Sequence, residues 1–405
     1  MATISTTGDT NFRIGMLIYD TRYRSYTIQI IALIVFMLAA AWLVSNVIQN
    51  LALLGKTFSF SFLGDTASYD INQRLIDYSS TSTHARAAVV GILNTLLVAI
   101  LGCITATVVG VIAGVLRLSN NWLIARLMTI YVEGFRNIPV LVWILITVAV
   151  INETLPAPNQ FRGADPDASP LLGGMLVLTN RGFYIPAPVM GDMSMAVVIV
   201  FLLSVGVMIG FRRWARKRQE ATGEILPMFP ISLAILFLPT LLIFFILGMP
   251  ITLEYPELKG FNFSGGVFMR DSLIGLWLAL SLYTGAFTAE IVRSGILAVS
   301  KGQSEAAFAL GLRPGRTMNL VILPQALRVI VPPLISQYLN LTKNSSLAIA
   351  VGYMDATGTL GGITLNQTGR EFETLMLLMA FYLVVSLSIS MVMNWYNERV
   401  KLRER

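Results

Sequence analysis

Residues 231–248 read Ile231-Ser-Leu-Ala-Ile-Leu-Phe-Leu-Pro-Thr-Leu-Leu-Ile-Phe-Phe-Ile-Leu-Gly248, and residues 28–44 read Ile28-Gln-Ile-Ile-Ala-Leu-Ile-Val-Phe-Met-Leu-Ala-Ala-Ala-Trp-Leu-Val44. Neither run carries a charge, and neither shows the apolar stripe of a helix with one wet face. At 1.5 Å of rise per residue, about twenty such residues cross the ~30 Å hydrocarbon core of a bilayer. The rest of the chain agrees. Its 405 residues are 55% hydrophobic and only 13% charged, and the mean hydropathy is +0.70. A soluble globular protein carries roughly 25% charged residues. The composition therefore specifies an all-α, polytopic membrane protein rather than two or three soluble domains.

The scarce residues narrow the function. One cysteine, Cys103, allows neither an intrachain disulfide nor a cysteine-based zinc site. One histidine, His84, excludes a multi-histidine metal centre within the chain. Any nucleophile–base triad would also have to use His84, so we expect no catalytic residues, no metal site and no cofactor. The net charge of +7 does not point to nucleic acid, because the basic residues hug the ends of apolar runs as membrane topology requires. Gly55-Lys56-Thr57 resembles the tail of a phosphate-binding loop, but Asn50 stands where its first glycine belongs. This chain is not expected to bind ATP that way. The polar stretch Met1–Arg24 has no short apolar core followed by a small-residue cleavage site, so no cleaved signal peptide is expected.

Apolar runs set against charged and Pro/Gly breaks predict eight spans, at about 26–48, 87–115, 122–151, 193–211, 229–249, 271–294, 324–350 and 372–395. The second, third and sixth exceed what a bilayer requires and are expected to project or tilt. With the N-terminus inside, twenty of the 29 Lys and Arg residues fall on the cytoplasmic side and eight outside, Lys343 lying within a span. That bias places both termini in the cytoplasm. Gly110/Gly114 and Gly206/Gly210 are spaced to let helices approach closely, or simply reflect a glycine-rich composition.

The inward loop after the sixth span reads Lys301-Gly-Gln-Ser-Glu305-Ala306-Ala307-Phe-Ala-Leu-Gly311-Leu-Arg-Pro-Gly-Arg-Thr-Met-Asn-Leu-Val321-Ile-Leu323-Pro324. Good helix formers over Ser304–Leu310, followed by glycine, predict a short helix with a glycine C-cap. Glu305 would then occupy the first turn, where the helix dipole favours an acid. By shape alone, an ordinary connector and a docking element for a cytoplasmic partner remain equally open.

The spacing resembles the Glu-Ala-Ala loop of ABC-importer permeases: Glu305, Ala306, Ala307, Gly311, Leu323 and Pro324 match, and Val321 replaces an isoleucine. Tyr131-Val-Glu133-Gly-Phe-Arg136-Asn-Ile-Pro139, Gly285-Ala-Phe-Thr-Ala-Glu290-Ile-Val-Arg293 and Leu341-Thr-Lys343-Asn344-Ser-Ser-Leu347 resemble further signatures of the polar amino acid (histidine/glutamine-type) branch. In the last of these, Asn344 replaces an aspartate. The matches cover about 87–150 and 270–402, near half the chain. The residues between them, and the additional N-terminal span, resemble the larger permease subunits of general L-amino acid and glutamate/glutamine/aspartate/asparagine importers.

The resemblance implies a type I ABC importer permease core in the bacterial inner membrane. Its expected layout is a cytoplasmic tail (1–25), an extra span with its periplasmic loop (26–86), a first permease part (87–150), an insertion with two extra spans (151–269), a second permease part (270–395) with a coupling loop at 301–324, and a C-terminal tail (396–405). It also implies a separate ATP-binding subunit acting as a dimer, a second permease of the same family, a periplasmic amino-acid-binding protein and an amino acid substrate. The loop helix would seat in the ATPase and transmit its closure to the membrane part.

Two charged pairs, Glu133/Arg136 and Glu290/Arg293, are spaced i, i+3 on a common helix face. They sit near span ends and are gate or substrate-path candidates. Lys343 and Asn344 are the others. A lysine inside a span is costly and marks a function by default. It would face a substrate carboxylate, pair with an acid on the partner permease, or reach water. The competing class, a gradient-driven secondary carrier, requires matched broken helices in two halves, and only Pro332-Pro333 suggests a break.

Overall fold

The computed structural model describes residues 16–53, 55, 58–163, 166–224 and 226–400. The outermost parts of both expected tails, and Lys56 and Thr57 of the loop-like tripeptide, lie outside the described residues. The chain divides into two compact units, Met1–Leu63 and Gly64–Arg405. In the first, α1 (Thr21–Leu53) exposes Ile28, Phe36 and Trp42 at 59–67%. Apolar side chains bare on every side suit a helix surrounded by lipid.

Among the described residues, eight helices are long and apolar enough to cross a membrane, one in each expected span. Those of the second unit begin with α2 (His84–Leu116). The expected third span is not one helix. It breaks into α3 (Trp122–Asn137) and α4 (Val140–Thr154), with only the segment containing α4 apolar enough to cross. Pro139 explains the correction: it lacks an N–H, and its ring forces the preceding residue out of helical space. Ile138 is accordingly extended, at φ −114° and ψ 136°.

The insertion supplies α5 (Ser194–Thr222) and α6 (Met228–Ile246), which pack on each other. α5 runs eleven residues past its expected end, carrying the basic run 211–218 as helix. The insertion's loops are not shapeless. β1 (Val177–Thr179), β2 (Gly182–Ile185) and β7 (Val267–Arg270) form an antiparallel sheet in the order β1-β2-β7. β3 (Ala187–Met190) pairs with β4 (Ile251–Glu254), and β5 (Glu257–Lys259) with β6 (Asn262–Ser264). These short strands close backbone hydrogen bonds beyond the helix ends and leave the membrane part all-α.

Helix α7 (Asp271–Leu297) is the one the others gather on. Its most apolar window is 72% buried, against 33% or less for every other span. α2, α3, α4 and the later α9 all pack against it. Lipid gives little hydrophobic drive between helices, so close approach through small residues must supply the contact. Gly110 and Gly114 provide it: a Cβ at Gly110 would stand 2.4 Å from the Thr288 Cβ, and one at Gly114 2.6 Å from the Ala289 carbonyl. Gly206 and Gly210 have nothing within 4 Å, so their identical spacing marks no contact.

After α7 come α8 (Lys301–Ala309), a helical lead-in over 314–322, and α9 (Leu323–Asn344). α9 carries Pro332-Pro333 inside its helical run. It packs on α7, with Ile330 against Gly295. At Ser345 it passes into a 3-10 turn that ends at Gly352 (φ 68°). α10 (Glu371–Val400) is the last helix among the described residues.

Candidate functional site

Three features occupy different depths of this bundle. The first is α8 and its connection. The helix starts at Lys301, three residues earlier than expected, so Glu305 lies in the second turn and the first turn has no acid. The cap is as expected in kind. Gly311 adopts φ +77°, its N–H donates to the Phe308 carbonyl (2.9 Å), and the Leu312 N–H donates to the Ala307 carbonyl (3.1 Å). That pair of bonds is the Schellman arrangement, which needs a left-handed residue after the last turn. Ala307 is buried, whereas Glu305 and Ala306 are exposed. Phe308 is 50% exposed and Leu310 82%. Leu323 and Pro324 open α9, and Gln325 donates from Nε2 to Gln303 Oε1 at 3.2 Å, tying the start of α9 back to α8.

The second feature is a charged cluster near the end of α7 that leads into α8. The i, i+3 pairs read from sequence are not separate. Arg293 Nη2 lies 2.7 Å from Glu290 Oε1. Arg136 Nη1 stands 4.0 Å from both Glu133 Oε1 and Glu290 Oε2. Arg117, just past α2, joins them, its guanidinium 2.5 Å from Glu290 Oε2 and 3.8 Å from Glu133 Oε1. The Arg117 side chain is only 9% exposed. Three cations and two carboxylates thus connect the ends of α2, α3 and α7, with Arg136 also over the Phe287 ring at 5.5 Å. Removing Glu290 would leave buried positive charge uncompensated, which costs far more than an exposed pair is worth. Arg117's part leaves no local sign along the chain, because its partners lie 16 and 173 residues away.

The third feature lies at the end of α9. Leu341 packs on Gly102, near the midpoint of α2, which puts Lys343 one half-turn further on. Lys343 is exposed and has no ion pair among the described residues. Asn344 ends α9. Beyond them lies a residue the sequence reading passed over, Asp355, fully buried. Its carboxylate accepts the Gly358 N–H (2.8 Å) and the Tyr382 O–H (3.4 Å). The surrounding loop is laced to α2, with Asn94 Nδ2 donating to the Met354 carbonyl (2.8 Å) and the Ala356 N–H to Thr95 Oγ1 (3.0 Å). The only signal available in sequence is an acid between two spans. The structure does not bring Lys343, the charged cluster and α8 into one pocket.

The fold is thus a many-helix membrane core built on α7, with a small capped helix between α7 and α9. Residues 226–405 match the family described as "Binding-protein-dependent transport system inner membrane component". Over its whole length the chain is 54% identical to the glutamate/glutamine/aspartate/asparagine transport system permease protein BztB of Rhodobacter capsulatus, covering 100% of both chains. It is 45% identical to the general L-amino acid transport system permease protein AapQ of Rhizobium johnstonii, covering 98% of this chain and 96% of that one. A solved structure, of an amino acid ABC transporter with histidines, is 19% identical over 80% of this chain and 99% of that one, with TM-score 0.45. The chain belongs to the binding-protein-dependent transport permease family. It is a multi-pass transport subunit of the ABC importer class.

Proposed function

We propose that the protein is the inner-membrane permease of an ATP-driven, binding-protein-dependent importer of L-amino acids, chiefly acidic residues and their amides, with a broader range open. The observation that carries this is full-length similarity to two permeases whose names state those substrates. ATP is hydrolysed by a separate ATPase dimer, a second permease completes the pathway, and a periplasmic protein delivers the amino acid. Both termini lie in the cytoplasm, in keeping with the basic bias of the loops on that side.

In this reading α8 is the coupling helix. Its exposed Glu305, Phe308 and Leu310, and the Gly311 cap that fixes their orientation, are the surface offered to the ATPase. Closure of the ATPase dimer displaces α8, and the displacement passes through Leu323-Pro324 into α9 and along α7. The Arg117–Glu133–Arg136–Glu290–Arg293 cluster sits where those helices must move relative to α2 and α3, and it acts as a latch on the inward side. Lys343, without an ion pair among the described residues, faces either the substrate carboxylate or an acid of the second permease.

Membrane vesicles containing the whole complex test this. ATP inside should drive L-glutamine uptake that survives a protonophore, and Glu305→Lys should abolish uptake while the protein remains in the membrane. Uptake that follows the proton gradient and ignores ATP would instead identify a secondary carrier.

A further inference from the structure

The end of α7 opposite α8 carries a polar cavity that nothing above employs. It measures about 460 Å³, within the roughly 300–1,000 Å³ range of small-molecule sites. Its lining includes Asn72, Asn152, Asn180, Arg181, Arg270 and Asp271. They come from the loop before α2, the end of α4, the β1–β2 turn, and the junction of β7 with α7. The β1-β2-β7 sheet sets Arg181 and Arg270 side by side, because Gly182 pairs directly with Arg270 and the Asp271 N–H donates to the Arg181 carbonyl (3.4 Å).

The charges in this cavity are only loosely matched. Arg270 Nε stands 3.6 Å from Asp271 Oδ1, and the Arg270 side chain is 36% exposed. The Arg270 Nη groups make no hydrogen bond among the described residues. Arg181 gives one Nη1 bond, to the Phe261 carbonyl at 3.3 Å. Asn180 also lines the cavity, its Oδ1 buried with no hydrogen-bond partner among the described residues. With its amide set so that the nitrogen faces inward, Asn152 would donate to the Asn180 carbonyl (3.1 Å) and to Asp271 Oδ2 (3.3 Å) and so hold that carboxylate. Two guanidiniums beside one carboxylate complement a ligand that carries a carboxylate and an ammonium on the same carbon. The asparagine amides leave room for an acid or amide side chain.

We infer that this cavity is a second amino acid site on the permease, binding an α-amino acid zwitterion with a short acidic or amide side chain. Arg270 and Arg181 take its carboxylate, and Asp271 takes its ammonium group. The inference rests on the reading that the cargo is an amino acid, and it places a waiting position at the mouth of the pathway.

The test is equilibrium binding of radiolabelled L-glutamine to the full chain in nanodiscs. Arg270→Gln and Asp271→Asn should each weaken binding at least tenfold, and Arg270→Lys should restore part of it. Arg181→Gln, in an exposed turn outside α7, should weaken it without altering the melting temperature. N-acetyl-L-glutamine and L-glutamine methyl ester, each lacking one charge, should fail to compete. The inference is overturned if L-glutamine does not bind, if binding survives the Arg270 and Asp271 changes, or if the N-acetyl compound competes equally, which would mark a simple anion site. Uptake by the wild-type complex separates the two readings: a complex that moves no amino acid refutes the transport reading, while binding alone decides the cavity.

Discussion

Two glycine pairs with the same spacing have opposite meanings. Gly110 lies against Thr288 and the Gly285 carbonyl, whereas Gly206 faces open space. Gly110→Val should therefore force α2 from α7, costing about 1–3 kcal/mol for an overpacked contact, and should lower the melting temperature of the detergent-purified protein. Gly206→Val should leave it unchanged; equal effects at both sites would contradict the packing described. The charged cluster supports a second expectation. Glu290→Gln leaves Arg117 and Arg293 facing a neutral amide, so it should destabilise the protein more than Glu133→Gln, whose side chain is 52% exposed. The combined Arg117→Gln/Glu290→Gln protein should be less damaged than the sum of its parts, since removing both partners avoids stranding a buried charge. For Lys343, a Lys343→Met protein with unchanged uptake would eliminate any contact with the substrate carboxylate.

At the scale of the element, α8 is nine residues long and too short to be stable alone in water. Its order comes from the Gly311 cap, from Ala307 packed inward and from the tie between Gln325 and Gln303. Gly311→Ala places a Cβ in left-handed space at a cost of roughly 1–2 kcal/mol. The expected result is frayed coupling: ATP hydrolysis by the complex persists, while uptake per ATP falls several-fold. A protein that couples normally would show that the cap is dispensable. The division of the expected third span into α3 and α4 belongs to this scale as well. Hydropathy ran through Ile138-Pro139 without interruption, and backbone chemistry, not apolarity, ended the helix there.

For the whole molecule, orientation can be read out with the cysteine that is already unique. In a Cys103→Ser background, Ser80→Cys and Gln219→Cys occupy exposed positions before α2 and at the end of α5. A membrane-impermeant maleimide added to intact cells should label the first, and reach the second only after permeabilisation. The reverse pattern would invert the topology proposed from the basic bias.

Much of this architecture is legible in the sequence because bilayer crossing is a one-dimensional constraint. A run of about twenty apolar residues has to be a helix of a given length, since its backbone groups find no other partners in hydrocarbon. The order of apolar runs therefore determined eight spans and the membrane class, and the Glu-Ala-Ala spacing determined where to look for a coupling helix. What only the tertiary structure decided are relations between residues distant in the chain. Among these are which glycines touch, that Arg117 binds the two charged pairs into one cluster, that Asp355 is buried, and that Arg181 and Arg270 share a cavity. Such contacts depend on how helices rotate and cross. Lipid is nearly indifferent to those choices, and short-range packing and electrostatics settle them.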